Sequence, residues 1–184
     1  MGNFNQLDSP VVGLVVLLVR LTLGLLLAAH GAQKLLGWFR GPGLHDTAAF
    51  LEQLGFRPGR VFAAAAGLTE LTGGLLIAIG FLGPVGPALL LSVMVVAVVT
   101  VHWGNGLLAT SNGSELPILY SAGGISLAFL SAGPFSLDAW LGIPSAPVWL
   151  ISAVLAAGAL GGLFNAFTRR PLVTNRALGS ATLP

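Results

Sequence analysis

The sequence predicts an all-α polytopic membrane helical bundle, and three observations carry that prediction. Only 8% of the 184 residues are charged, with eight Lys or Arg against six Asp or Glu. The hydrophobic fraction is 55% and the mean hydropathy is +0.90. The apolar residues fall in five continuous runs of about 17–22 residues, the length that crosses about 30 Å of hydrocarbon at 1.5 Å per residue. A soluble domain carries roughly 25% charged residues to keep its surface wet. The composition therefore excludes an ordinary soluble enzyme, a disordered chain and a nucleic-acid binder. A membrane β-barrel is excluded too, because barrel strands alternate and these runs do not.

The elements follow in order. Residues 1–10 form a polar tail with Asp8 as its one charge. It lacks the basic start of a cleavable signal, so the first run is expected to stay in the mature protein. That run, Val11–Ala29, holds one charge, Arg20. In the following gap, Asp46–Leu54 has apolar residues at helical spacing. It predicts an interfacial or re-entrant amphipathic helix near 45–55, with Asp46 as N-cap and Gly55 as stop. Val61–Leu82 also holds one charge, Glu70. Val85–Val101 is uncharged and ends at His102. Leu116–Ala132 is shorter, with Pro117 near its first turn, where proline is tolerated. Residues 141–168 supply a further transmembrane helix, Val148–Phe167, and residues 169–184 a C-terminal tail.

Charge then sets orientation. Lys34, Arg40, Arg57 and Arg60 lie between the first two runs, and Arg169, Arg170 and Arg176 follow the last. Five crossings put both groups on one side, which reads as cytoplasmic and leaves the N-terminus outside. Trp38, Trp103, Trp140 and Trp149 fall at run ends, as interfacial belt residues do.

The chain has no cysteine. That excludes disulfides, thiolate zinc sites, iron–sulfur ligation and covalent haem. The candidate chemistry rests on few residues. Arg20 and Glu70 sit mid-span, where a charge is costly and needs a partner. Gly13, Gly24 and Gly31 share the Arg20 face; Ala63, Ala66, Gly67, Gly73, Gly74 and Ile77 share the Glu70 face. Small faces let helices approach closely, so an Arg20–Glu70 ion pair is expected in a tight interface. It serves either to fix helix register or to polarise a buried site. A second group comprises His30, Lys34, His102, Asn105 and Glu115, all at span ends that share one membrane side. His102 and Glu115 are the candidate proton-exchanging residues, because a histidine at an interface titrates near neutrality. Arg20, His30, Lys34, Glu70 and Asn105 are the candidate binding residues. Haem b between His30 and His102, or zinc on His30, His102 and Glu115, has little else to support it.

The spaced residues carry a resemblance. Arg20-x-x-x-Gly24, His30-Gly31-x-x-Lys34 and Phe50 to Gly55 resemble the start of the DoxX family. So do Glu70-x-x-Gly73-Gly74 with Gly80, His102-x-x-Asn105-Gly106, Gly113-x-Glu115 and Gly133-Pro134-x-Ser136-Leu137-Asp138. The resemblance implies a four-helix DoxX-like core, assigned to residues 11–140, in the bacterial cytoplasmic membrane. It also implies kinship with quinone-linked thiosulfate oxidoreductase subunits. Family members commonly have four spans, so Val148–Phe167 adds a fifth, which is expected to dock protein partners in a membrane complex. Gly133-Pro134-Phe135 stands where the family has Gly-Pro-Gly.

The leading expectation is a redox-associated membrane subunit that binds a quinone or similar lipophilic molecule at the polar cluster, with no covalent cofactor. Electrons would come from a partner, because the chain has no nucleotide fingerprint. The alternatives are a structural or assembly subunit without chemistry of its own, and a small-solute carrier.

Overall fold

The computed structural model describes residues 10–170. The predicted N-terminal tail up to Ser9, and Pro171 and Arg176 in the C-terminal tail, lie outside the described residues. Every regular element among the described residues is helical. Four helices are long and apolar enough to cross a membrane: α1 (Pro10–Leu36), α3 (Gly59–Ile79), the span Val85–Asn105 that opens with α4 (Val85–Ala97), and α7 (Val148–Thr168). Between them lie α2 (Gly43–Gln53), α5 (Glu115–Leu130) and the single-turn α6 (Leu137–Trp140).

The connections define two ends of the bundle. At one end sit the C-terminus of α1, α2, the start of α3, the end of the α4 span and the start of α5. The last residues of α7 join them, where the Arg170 amide donates to the Gly55 carbonyl at 2.8 Å. Lys34, Arg40, Arg57, Arg60, Arg169 and Arg170 all belong to this basic end. The far end holds the start of α1, the turn after α3 and the loop after α5. α5 has 16 residues and runs the whole way, about 24 Å at the helical rise. It leaves the basic end at Glu115 and delivers Pro134 against Gly13, near the start of α1. With α5 counted, the chain makes five passes.

Glycine sets the closest contacts. A Cβ on Gly24 would sit 2.6 Å from the Gly74 carbonyl oxygen and 2.6 Å from the Ala78 amide. Gly31 meets Gly67 and Leu71 in the same way, and Gly74 meets Ala28. α1 and α3 therefore touch backbone to backbone, the packing that small residues permit where water supplies no driving force. Of the small faces read from the sequence, Gly24, Gly31, Gly67 and Gly74 form this interface, whereas Gly13 meets Pro134 and Gly73 meets Leu89 on α4. A second seam joins α7 to α4. Gly158 and Gly162, four apart on one face, close onto Ala88 and Ser92. The small-residue face of α7 thus docks on its own chain. Its opposite face, with Leu160, Phe164 and Phe167, points outward. Val16, Leu27, Ile77, Leu90, Met94 and Leu127 fill the centre.

Two sequence expectations need correction here. α2 begins at Gly43 rather than at an Asp46 cap, and Pro42 holds the cap position. Asp46 lies instead in the first turn, where a negative charge meets the positive end of the helix dipole, and its Oδ1 is 2.9 Å from His45 Nδ1. The second correction concerns Arg20 and Glu70, which do not pair. The glycine contacts place Gly24 opposite Gly74–Ala78 and Gly31 opposite Gly67–Leu71. In that register Arg20 lies beside Gly80, about ten residues and roughly 15 Å along α3 from Glu70. α1 runs on to Leu36, so Arg20 is not at its middle. The assumption of equal depth failed because the span extends well past its apolar run.

Candidate functional site

Glu70 projects from the small-residue face of α3 and is 5% exposed. Its partner is Lys34, in the last turn of α1. The contact joins Lys34 Nζ to Glu70 Oε1. The lysine remains partly exposed, its side chain reaching from the basic end towards a carboxylate deep in the bundle. Glu70 Oε2 is buried and has no hydrogen-bond partner.

That pair forms the polar floor of a cavity of about 170 Å³. The walls are largely apolar. Phe50 and Leu51 come from α2, Phe56 from the loop that follows, Phe62 and Ala66 from α3, and Val93 and Val96 from α4. Thr69, Ser92, Thr100 and Asn165 add polar atoms. Asn165 is contributed by α7, and its buried Oδ1 also lacks a partner. Phe50 is 48% exposed, so the cavity has an edge open to the surroundings of the bundle.

One irregularity borders it. After Ala97 the α4 span widens into a π-helical turn, Val98–His102, before a final tight turn at Trp103–Asn105. Thr100 and Val101 of that turn line the cavity. A π-turn inserts an extra residue at the cost of helical regularity, and such turns are frequent at functional sites.

The other candidate residues are placed elsewhere. Arg20 is 3% exposed and serves the far end. Its guanidinium donates to the Ala78 carbonyl at 3.1 Å, to the Phe135 carbonyl at 3.1 Å, and to the Ala132 carbonyl. It thereby caps α3 and ties the loop after α5 to α1. Asp138 completes the knot. Its Oδ1 accepts from the Leu82 amide at 3.0 Å and its Oδ2 from the Gly83 amide at 2.9 Å. The turn needs this support, because Leu82 adopts φ 60° and Gly80 φ 68°. A Cβ on Gly80 would fall 2.6 Å from the Arg20 guanidinium, so glycine is required there twice over.

His102, Asn105 and Glu115 come together, but as a loop clasp. His102 Nδ1 lies 2.7 Å from the Asn112 carbonyl oxygen, and Asn105 donates to the same oxygen at 3.3 Å. Glu115 Oε2 accepts from the Ala109 amide at 2.8 Å. Together they close the loop between α4 and α5. His30 is exposed, with Gln33 Oε1 at 3.2 Å and the Tyr120 ring edge-on at 6.3 Å. Among the described residues no hydrogen bond or ion pair joins His30 or Lys34 to His102, Asn105 or Glu115. The five share an end of the bundle, as expected of one membrane face, and fall into separate hydrogen-bonded groups there. Only Lys34 and Glu70 of the candidate residues line the cavity. Nor do any three His, Asp or Glu side chains among the described residues cluster as metal ligands do.

Asn165 and Asp138 are the residues the sequence reading passed over as site or structural groups. Asn165 had a signal: it is the one side-chain amide in a 21-residue apolar helix. A polar group inside a span is retained for a reason as surely as a charge is.

Comparison with known proteins agrees with the geometry. No curated protein matches the chain, and no solved structure does. The family model described as DoxX matches residues 15–103. That segment holds nearly all of α1, then α2, α3 and the α4 span as far as Trp103, and so includes the Lys34–Glu70 pair and the π-turn. That segment carries a DoxX-family domain, in a chain whose helices are those of a small multi-pass membrane protein.

Proposed function

We propose that the protein binds a lipophilic molecule with a compact polar head, of the quinone class, in the cavity over Lys34 and Glu70. It does so as a redox-associated subunit of the bacterial cytoplasmic membrane. The observation that carries this is a buried carboxylate, paired with a partly exposed lysine and with one oxygen unmet, at the floor of a largely apolar cavity. Such a pocket has the usual make-up of small-molecule sites, apolar walls with a few placed polar groups. The apolar walls take the ring and the root of a tail, and the open edge beside Phe50 lets the tail run into lipid. The polar head is located at Lys34 and Glu70 rather than at His102 and Glu115, whose side chains are engaged in the loop. Electrons come from a partner protein, since the chain offers no residue set that would carry them. The basic end faces the cytoplasm, by the asymmetry of Lys and Arg.

Ala66→Phe fills the cavity without replacing either member of the ion pair. After purification in mild detergent, the parent protein is expected to release a quinone on organic extraction, and the variant none, with thermal midpoints alike. Equal quinone in both would remove the cavity from the argument. Orientation has its own check. A single cysteine at Arg57, in a chain that has none, should react with an impermeant maleimide only after the membrane is opened. Labelling of intact cells would reverse the assignment.

A further inference from the structure

The cavity lining holds two charged side chains, Lys34 and Glu70, and they are of opposite sign. A head group with a net charge of its own would leave that charge uncompensated among apolar walls, where an unpaired charge is costly. The site therefore favours a neutral head. The ion pair also sets the pattern of that head. Lys34 occupies Glu70 Oε1, while Oε2 is buried and has no donor. An ammonium has three N–H groups, and that of Lys34 gives one to Glu70. A free acceptor and free donors thus lie side by side on one pair. Their complement is a head with a donor and an acceptor on the same carbon. Asn165 and Ser92 do not discriminate between heads, because an amide and a hydroxyl each both donate and accept.

We infer that the cavity takes a fatty acid in its neutral, protonated form. The acid O–H donates to Glu70 Oε2, and the acid carbonyl accepts from Lys34 Nζ. The contacts close a ring, from Lys34 to Glu70, from the acid to Glu70 and from Lys34 back to the acid. The existing ion pair is kept. Charge balance holds whichever carboxyl carries the proton, since one ammonium faces two carboxyls that share a single proton. The walls suit an alkyl tail. Phe50, Leu51, Phe62 and Val93 come from three different helices, and the edge beside Phe50 is open. A flexible chain follows such walls out into lipid without a preformed ring slot. The inference goes beyond the quinone reading. It rests on the ion pair and the apolar walls alone, and it names a second class of occupant for the same cavity.

The test uses the full chain in mild detergent, with tritiated dodecanoic acid as tracer and unlabelled dodecanoic acid, dodecanamide and methyl dodecanoate as competitors. The amide does not ionise but keeps a donor beside an acceptor, and the ester keeps only acceptors. Tracer binding is expected to saturate in the parent protein and to be lost in Ala66→Phe, which separates the cavity from uptake by the micelle. Acid and amide should compete within threefold of each other, and the ester at least tenfold more weakly than the amide. Glu70→Gln leaves the Lys34 charge without its partner, so the site should then favour an anion, with the amide at least tenfold weaker than the acid. An ester as potent as the amide would overturn the donor–acceptor head. An amide tenfold weaker than the acid in the parent protein would mean that the site takes the carboxylate anion, and would overturn the neutral head. No saturable tracer binding, or equal binding in Ala66→Phe, would overturn the fatty-acid inference outright. Quinone release on extraction is read separately, so the failure of either reading is visible without the other.

Discussion

The two ends of the bundle handle a buried charge in opposite ways. At the far end, Arg20 meets three backbone carbonyls, and the nearby Asp138 holds two amides of the turn after α3. The charges there act on the backbone, and no cavity adjoins them among those described. At the basic end, Glu70 meets Lys34 on one oxygen and a cavity on the other. α1 is pressed onto α3 at Gly24 and Gly74 and again at Gly31 and Gly67, and what marks the basic end is the loss of α-helical regularity in the π-turn of the α4 span beside the cavity. Two intramembrane charges on neighbouring helices thus have different standing. A charge whose partners are helix ends and turns holds the fold together. A charge left with a free acceptor facing a cavity is available to a ligand.

Replacing each charge in turn gives the sharpest way to break that contrast. Arg20→Met leaves the Ala78, Ala132 and Phe135 carbonyls without their donor and is expected to cost about 3–5 kcal/mol, the range for stripping one partner from a buried charged network. Thermal unfolding in detergent should show a large loss of midpoint or no folded protein. Glu70→Gln keeps the shape and leaves Lys34 facing the basic end, where its ammonium can reach water. Its stability cost is expected near 1 kcal/mol, with the effect falling on quinone retention instead. A Glu70 variant as damaging to folding as the Arg20 variant would erase the distinction between the ends.

Much of this was legible in the sequence, and the exceptions have physical causes. Run lengths and charge scarcity suffice for the helical class, because backbone groups in hydrocarbon must bond within their own helix. The α1–α3 interface was legible from glycine spacing, since close approach depends on side chains that are absent. Register was not. Gly24 and Gly31 show which faces meet, but a shift of three helical turns keeps small residues in contact while exchanging charge partners. Glu70 was readable as a buried charge in need of a partner, yet that partner, Lys34, lies beyond the end of the apolar run that defined the first span. The His102–Glu115 segment misled for a related reason. Residues that share a membrane side need not share a pocket, and polar side chains next to a glycine-rich loop find backbone partners first. Asn165 was hidden because a lone amide barely lowers the hydropathy of its helix.

The smallest expected effect tests that last distinction. His102 ends the π-turn, is partly exposed, and makes one close contact, with the Asn112 carbonyl oxygen. Asn105 reaches the same oxygen, so the carbonyl keeps a donor when the imidazole is gone. His102→Ala should therefore cost less than about 1 kcal/mol and leave the quinone released on extraction within twofold of the parent. Measured beside Glu70→Gln, it separates two uses of the basic end. A tenfold fall in affinity with an unchanged thermal midpoint would place the imidazole in contact with the ligand and move the head group towards the loop. An unchanged affinity with a slightly lowered midpoint would fix His102 as a clasp, and would leave Lys34 and Glu70 as the polar groups that meet the ligand's head.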